Sequence, residues 1–137
     1  MSEDDKESMP DQYKTVSLEE FVEYSKSMFA YWTEDDFASS FRKMLTIEQF
    51  RSEEMQGLYQ QYLSSGPAAY VKDLFESMGI AHAEENAVRF YATMYFYYSV
   101  YDGADDKEKV KNEFASAIGS MAQEWIKQPK LTQIRKS

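Results

Sequence analysis

The sequence predicts an all-α protein, a bundle of about six helices, and three observations carry that prediction. Apolar residues recur at the i, i+3, i+4, i+7 spacing of a buried helix face along most of the chain. No stretch alternates apolar and polar residues for long enough to read as a strand. Between the periodic segments stand the residues that start and stop helices, Ser, Thr and Asp in front, Gly and Pro behind.

Residues 1 to 16 hold five acids, one proline and almost nothing to bury, the composition of a flexible acidic leader. The first helix is expected after Ser17, an N-cap with Glu20 as its capping-box partner and Val16 against Phe21 as a hydrophobic staple. Leu18, Phe21, Ser25, Met28, Phe29 and Trp32 share its inner face. A second helix is expected to start at Thr33, with Asp36 as its capping partner, and Phe37, Phe41, Met44 and Leu45 continue the stripe. A third follows Ser52, with Met55, Leu58, Tyr59, Tyr62 and Leu63 on its buried face.

The "SSGP" stretch is a stop and a restart, because Pro67 suits a first helical turn, where its missing N–H is not needed. Val71, Leu74, Phe75 and Met78 face inward from that fourth helix, and Gly79 ends it. The fifth begins near Ala83 and runs to Gly103. Asp105 with Glu108 caps a sixth, which continues to about Lys127 before Pro129. The helical domain thus spans residues 17 to 127, and residues 128 to 137 read as a basic, solvated tail.

The fifth helix is the unusual one. "RFYATMYFYYSVYDG", Arg89 to Gly103, holds seven aromatic rings in fifteen residues. Phe90, Tyr91, Met94, Tyr95, Tyr97, Tyr98 and Tyr101 cover one broad side, while Val88, Ala92, Phe96 and Val100 lie on the other. A helix apolar nearly all round must be covered nearly all round. The sixth helix has an inward stripe of Val110, Phe114, Ala117, Ile118, Met121 and Trp125, and beside it the small residues Ala115, Ser116, Gly119, Ser120 and Ala122. A mid-helix glycine costs about 1 kcal/mol against alanine, so Gly119 wants a reason, and close approach of another helix is one. The last two helices are therefore expected to form an intermolecular four-helix bundle in a homodimer. Phe96, Val100, Ala115, Ile118, Gly119, Ala122 and Trp125 are its candidate interface residues. The alternative is that the small residues fit a tight crossing within one chain.

Eleven tyrosines need a second explanation, since each buried one must place its O–H on a partner. Tyr24, Tyr62, Tyr70, Tyr91, Tyr95 and Tyr98, with Met28, Trp32, Phe41 and Met44, are the candidates for an aromatic cavity that takes a small hydrophobic or aromatic ligand. An ordinary core with half-exposed tyrosine rims accounts for the same letters.

Composition narrows the function classes. A chain of 137 residues is the size of one domain. It contains no Cys, which removes disulfides, thiolate nucleophiles and cysteine metal sites and fits the reducing cytoplasm. No secretory signal and no apolar run of about 18 residues is present, so no membrane span is expected. A net charge of -9 argues against direct nucleic-acid binding; Lys127, Lys130, Arg135 and Lys136 form the one basic stretch. His82 is the only histidine and sits just before a helix start, and neither a Glu-x-x-His pair nor a glycine-rich phosphate loop occurs. An enzyme is not expected, nor any cofactor or metal.

"MFAYWTEDDFASSFRKMLTIEQFRSEEMQGLYQQYLSSGPAAYVKDLFESMG", Met28 to Gly79, followed by "FYATMYFYYSVYDGADDKE", Phe90 to Glu108, resembles the C-terminal domain of bacterial TetR-family transcriptional regulators. The resemblance covers about Ser17 to Lys127 and implies an effector-binding domain that dimerises through its last two helices, with a small ligand held among the middle ones. The family's N-terminal helix-turn-helix domain has no counterpart here, so the expectation is a sensing and dimerisation domain without a DNA-reading head, either a fragment or a solitary domain. The alternative is a structural or interaction module with no pocket, pairing with itself or with a full-length regulator.

Overall fold

The computed structural model describes residues 16–127. Over them the chain forms six helices: α1 (Leu18–Glu34), α2 (Asp36–Glu48), α3 (Glu53–Leu63), α4 (Ser65–Ser77), α5 (Ala83–Gly103) and α6 (Lys107–Lys127). Among the described residues there is no strand, and no helix is long and apolar enough to cross a membrane. Most of the expected leader, and the tail at 128–137, lie outside the described residues; Val16 is described and packs against the main core.

Capping residues set the helix starts. The Ser17 hydroxyl accepts from the Glu20 N–H at 3.0 Å and donates to the Glu20 carboxylate at 3.2 Å, and Ser52 accepts from the Met55 N–H at 3.1 Å, as expected. Two caps differ from expectation. Asp35, not Thr33, caps α2, accepting from the Ala38 N–H at 2.9 Å. Thr33 is buried and donates its hydroxyl back to the Phe29 carbonyl at 2.7 Å, so it finishes α1 instead. Asp106, not Asp105, accepts from the Lys109 N–H at 3.1 Å at the front of α6.

Two glycines are required by geometry. A Cβ on Gly66 would stand 2.1 Å from the Gln61 carbonyl oxygen, so only glycine lets α4 leave α3 this sharply. Gly79 has φ 76°, and the Gly79 and Ile80 N–H groups reach back to the Glu76 and Phe75 carbonyls at 3.1 and 3.0 Å, the double bond of a Schellman stop.

Each helix packs on the next, and α6 returns to α1, closing a ring; α5 also touches α1 across it. The main core fills that ring. Phe21, Phe75, Phe90 and Trp125 form an aromatic cluster at one end, with centroids 4.7 to 6.3 Å apart. Further along, Phe29 stacks between Phe114 at 4.3 Å and Tyr98 at 5.6 Å. A smaller core of Leu45, Tyr59 and Leu63 joins α2 to α3.

This arrangement answers where α5 hides its rings. Phe90, Tyr91, Met94, Tyr98 and Tyr101 are buried in the ring, Tyr95, Tyr97 and Val100 half-buried at its flanks, and Val88, Ala92 and Phe96 left outside. The sequence assignment of Ile118, Ala122 and Trp125 to an intermolecular surface is corrected: all three are at most 5% exposed and belong to the chain's own core. Trp125 is held by Phe21, Phe75 and Phe90. Of the same set, Phe96 is 59% exposed, and Val100, Ala115 and Gly119 are half-buried.

Candidate functional site

A cavity of about 70 Å³ lies where α1, α3, α4 and α5 converge. Tyr24, Met28 and Trp32, one helical turn apart on α1, form one wall. Tyr62 on α3 and Pro67, Tyr70 and Val71 on α4 form the other, and Phe90, Tyr91, Met94 and Tyr98 of α5 make the floor. Three rings from three helices stand at the rim, Tyr24, Tyr62 and Tyr70, each 41 to 47% exposed.

Seven of the ten expected pocket residues therefore meet in one place: Tyr24, Met28, Trp32, Tyr62, Tyr70, Tyr91 and Tyr98. Phe41, Met44 and Tyr95 do not, and the assignment is corrected for them. The break at Asp35 turns α2 so that Ala38, Arg42 and Leu45 are its buried face. Phe41 is left half-buried beside Tyr62, ring centroids 5.4 Å apart, and Met44 faces outward. Tyr95 turns toward α3, where its hydroxyl bonds that of Tyr59.

The polar groups around the floor are mostly engaged with helix ends, whose last carbonyls lack partners within the helix. The Tyr91 hydroxyl donates to the Leu63 carbonyl at 2.6 Å, Arg42 Nε donates to the Trp32 carbonyl at 3.0 Å, and Lys107 Nζ donates to the Tyr101 carbonyl at 2.7 Å. The Arg42 guanidinium also lies over the Tyr98 ring, 5.0 Å from its centroid. Burial pushes the Tyr91 and Tyr98 phenols well above the usual tyrosine range; neighbouring phenols push Tyr91 further, while Arg42 draws Tyr98 part of the way back. Burial and then the bond to Tyr59 push Tyr95 up to about 12.

Sequence reading missed Arg42 because a lone Arg in a helix reads as a surface residue; its register with Ala38 and Leu45 was the available signal. It also missed Phe21, Ser25, Pro67, Val71, Phe90 and Met94 as lining, having counted those it assigned as plain core or turn.

A second, wider groove of about 520 Å³ runs along the outside of α5 against the α3–α4 corner. Leu63, Ala68, Val88, Ala92 and Phe96 make it apolar, and Tyr59, Tyr91 and Tyr95 bring their rings to it. Tyr91 thus separates the inner cavity from the outer groove.

No protein-family model matches the chain, and no curated protein or solved structure matches it significantly.

Proposed function

We propose that this chain is a small-molecule-sensing and dimerisation domain of the TetR-regulator type, working in the cytoplasm as a homodimer and leaving nucleic acid to a separate DNA-reading part. The observation that carries the proposal is the three-tyrosine rim over a cavity floored by α5. A molecule of drug size needs a pocket of about 300 Å³ or more, so it enters only as the exposed Tyr24, Tyr62 and Tyr70 rings turn aside and α1 and α4 part. The same α5 that floors the cavity carries Phe96 on its outer side. Ligand occupancy therefore biases the position of the helix that would form the dimer, a population shift between two arrangements.

Thermal-shift screening of hydrophobic aromatic compounds tests this. A binder raises the melting temperature by mass action, and substituting Met28 with Trp, which fills the cavity, abolishes the rise. A screen in which no compound stabilises the protein would sink the sensing part.

A second reading is favoured by the smallness of the cavity, about 70 Å³. In it the chain is a pocketless interaction module, and its exposed Phe37, Ile47 and Phe50, 74 to 85% accessible, mark its contact surface. That reading expects self-association without any response to small molecules.

A further inference from the structure

The cavity floor carries one polar group that the fold itself leaves unused. Tyr98 is 4% exposed, its ring is fixed by Phe29 on one side and lies under Arg42, yet its hydroxyl has no hydrogen-bond partner among the described residues. Three neighbouring phenols that are themselves buried or half-buried behave differently: Tyr91 donates to a carbonyl, and Tyr59 and Tyr95 bond each other. Every fully enclosed polar side-chain atom among the described residues has a partner, so the Tyr98 hydroxyl opens onto the cavity that Tyr98 lines. A ligand that dries the cavity without offering an acceptor would leave this hydroxyl unpaired at a cost, and a ligand that supplies one avoids it.

The surroundings decide what the partner must be. Burial keeps the phenol protonated, so it offers a proton. The guanidinium over the ring withdraws electron density and strengthens the O–H as a donor. Arg42 is itself engaged by Asp102 through both terminal nitrogens, so it is not free to pair with a carboxylate, whose burial would be costly. A neutral acceptor fits. Phe90, Met94, Met28 and Trp32 around it favour an apolar, flat body.

We propose that the Tyr98 hydroxyl is the specificity-determining donor of this cavity, and that its ligand is a flat, apolar or aromatic molecule bearing a neutral carbonyl-type acceptor. This rests on reading the cavity as a ligand site, and the test separates the two. Acetophenone and α-methylstyrene have nearly the same shape and differ in a carbonyl oxygen against a methylene. Titrating each into the full chain labelled with ¹³C at its methionine methyls reports binding through Met28 and Met94, both in the lining. Both probes should move those two resonances, with acetophenone bound roughly tenfold more tightly, the worth of one neutral hydrogen bond. In Tyr98→Phe the preference should fall to about parity, with the α-methylstyrene affinity kept.

Equal affinity in the unsubstituted protein, or a preference that survives in Tyr98→Phe, overturns the donor while leaving the cavity a ligand site. If neither probe moves Met28 or Met94, the cavity reading falls and the donor falls with it. Should Tyr98→Phe fold poorly, the carbonyl stretch of bound acetophenone decides: a hydrogen-bonded carbonyl absorbs at lower wavenumber than in hydrocarbon solvent, and an unshifted band overturns the assignment.

Discussion

Arg42 and Asp102 meet across sixty residues of sequence, the two terminal guanidinium nitrogens on the two carboxylate oxygens at 2.9 and 2.8 Å. The pair ties α2 to the far end of α5, and Arg42 Nε adds the Trp32 carbonyl at the end of α1. Three helices are thereby fixed at one point. The Arg42 side chain is 6% exposed and that of Asp102 28%, so removing the acid leaves a buried cation unpaired. Asp102→Ala should lower the unfolding free energy by about 3 kcal/mol, the lower end for a broken buried pair because Asp102 retains some water. Urea denaturation measures it. The double variant Arg42→Met with Asp102→Leu should recover part of the loss, since no charge then stays buried. Arg42→Lys should not restore wild-type stability, because an ammonium cannot make the two-pronged contact.

The glycines of α3 and α4 should respond in opposite directions. Gly66→Ala drives a methyl into the Gln61 carbonyl, backbone against side chain with nothing flexible to yield, and is expected to destabilise by about 1–3 kcal/mol. Gly57 lies inside α3 with nothing within 4 Å of an added Cβ. Gly57→Ala should therefore stabilise by about 1 kcal/mol through helix propensity alone. Calorimetric melting of the two variants checks both signs in one experiment.

Alkaline pH should unfold this protein earlier than its tyrosine content alone implies. Tyr95 is pushed up to about 12, and Tyr91 and Tyr98 are raised further by burial, whereas an unfolded tyrosine titrates near about 10. A phenol with a raised folded pKa contributes stability that is complete below about pH 10 and is lost as pH climbs toward the folded value, because only the unfolded chain releases the proton. The urea midpoint should hold steady to about pH 9 and fall above about pH 10. Tyr98→Phe should make that fall shallower by about one proton. An unchanged slope in the variant would mean that the phenol titrates normally in the folded state.

What the sequence could and could not show is clearest in α2. Phe37, Phe41 and Met44 form an apolar stripe that also takes in Leu45, and Ala38, Arg42 and Leu45 form another if the arginine is excused; the two are offset by one position, about 100° around the helix. Periodicity favours the aromatic stripe, but the fold buries the other, where Ala38 is small and Arg42 has a partner sixty residues away that no local pattern reveals. The caps show the same limit. In the run from Thr33 to Asp36 several side chains can cap, and only the burial of Thr33 in the last turn of α1 selects Asp35. By contrast the span of α5, Ala83–Gly103, and seven of the ten cavity residues were legible, because continuous apolar character and turn-spaced aromatics on α1 are local signals. Ile118, Ala122 and Trp125 were misplaced because a stripe that faces a neighbouring helix of the same chain has the same period as one that faces a second molecule.

The proposed homodimer makes a prediction that the remaining candidates decide. Phe96 is 59% exposed and Val88 53% on the outer side of α5, apolar surface that water disfavours by about 25 cal/mol per Å². If a second copy covers it, sedimentation should show a dimer, and Phe96→Glu, which adds a charge at an already exposed position, should give a folded monomer with an unchanged circular dichroism spectrum. Gly119 sharpens the test. An added Cβ there meets nothing within 4 Å in the single chain, so Gly119→Ala should strengthen the isolated helix by about 1 kcal/mol. Against a closely approaching partner helix the same methyl obstructs contact, and the substitution should weaken the dimer while stabilising the monomer. Loss of association in Phe96→Glu with no effect of Gly119→Ala would move the interface to α5 and its groove, leaving α6 outside it. A wild-type monomer at concentrations of about 100 µM, where even weak specific dimers associate, would remove the dimer altogether.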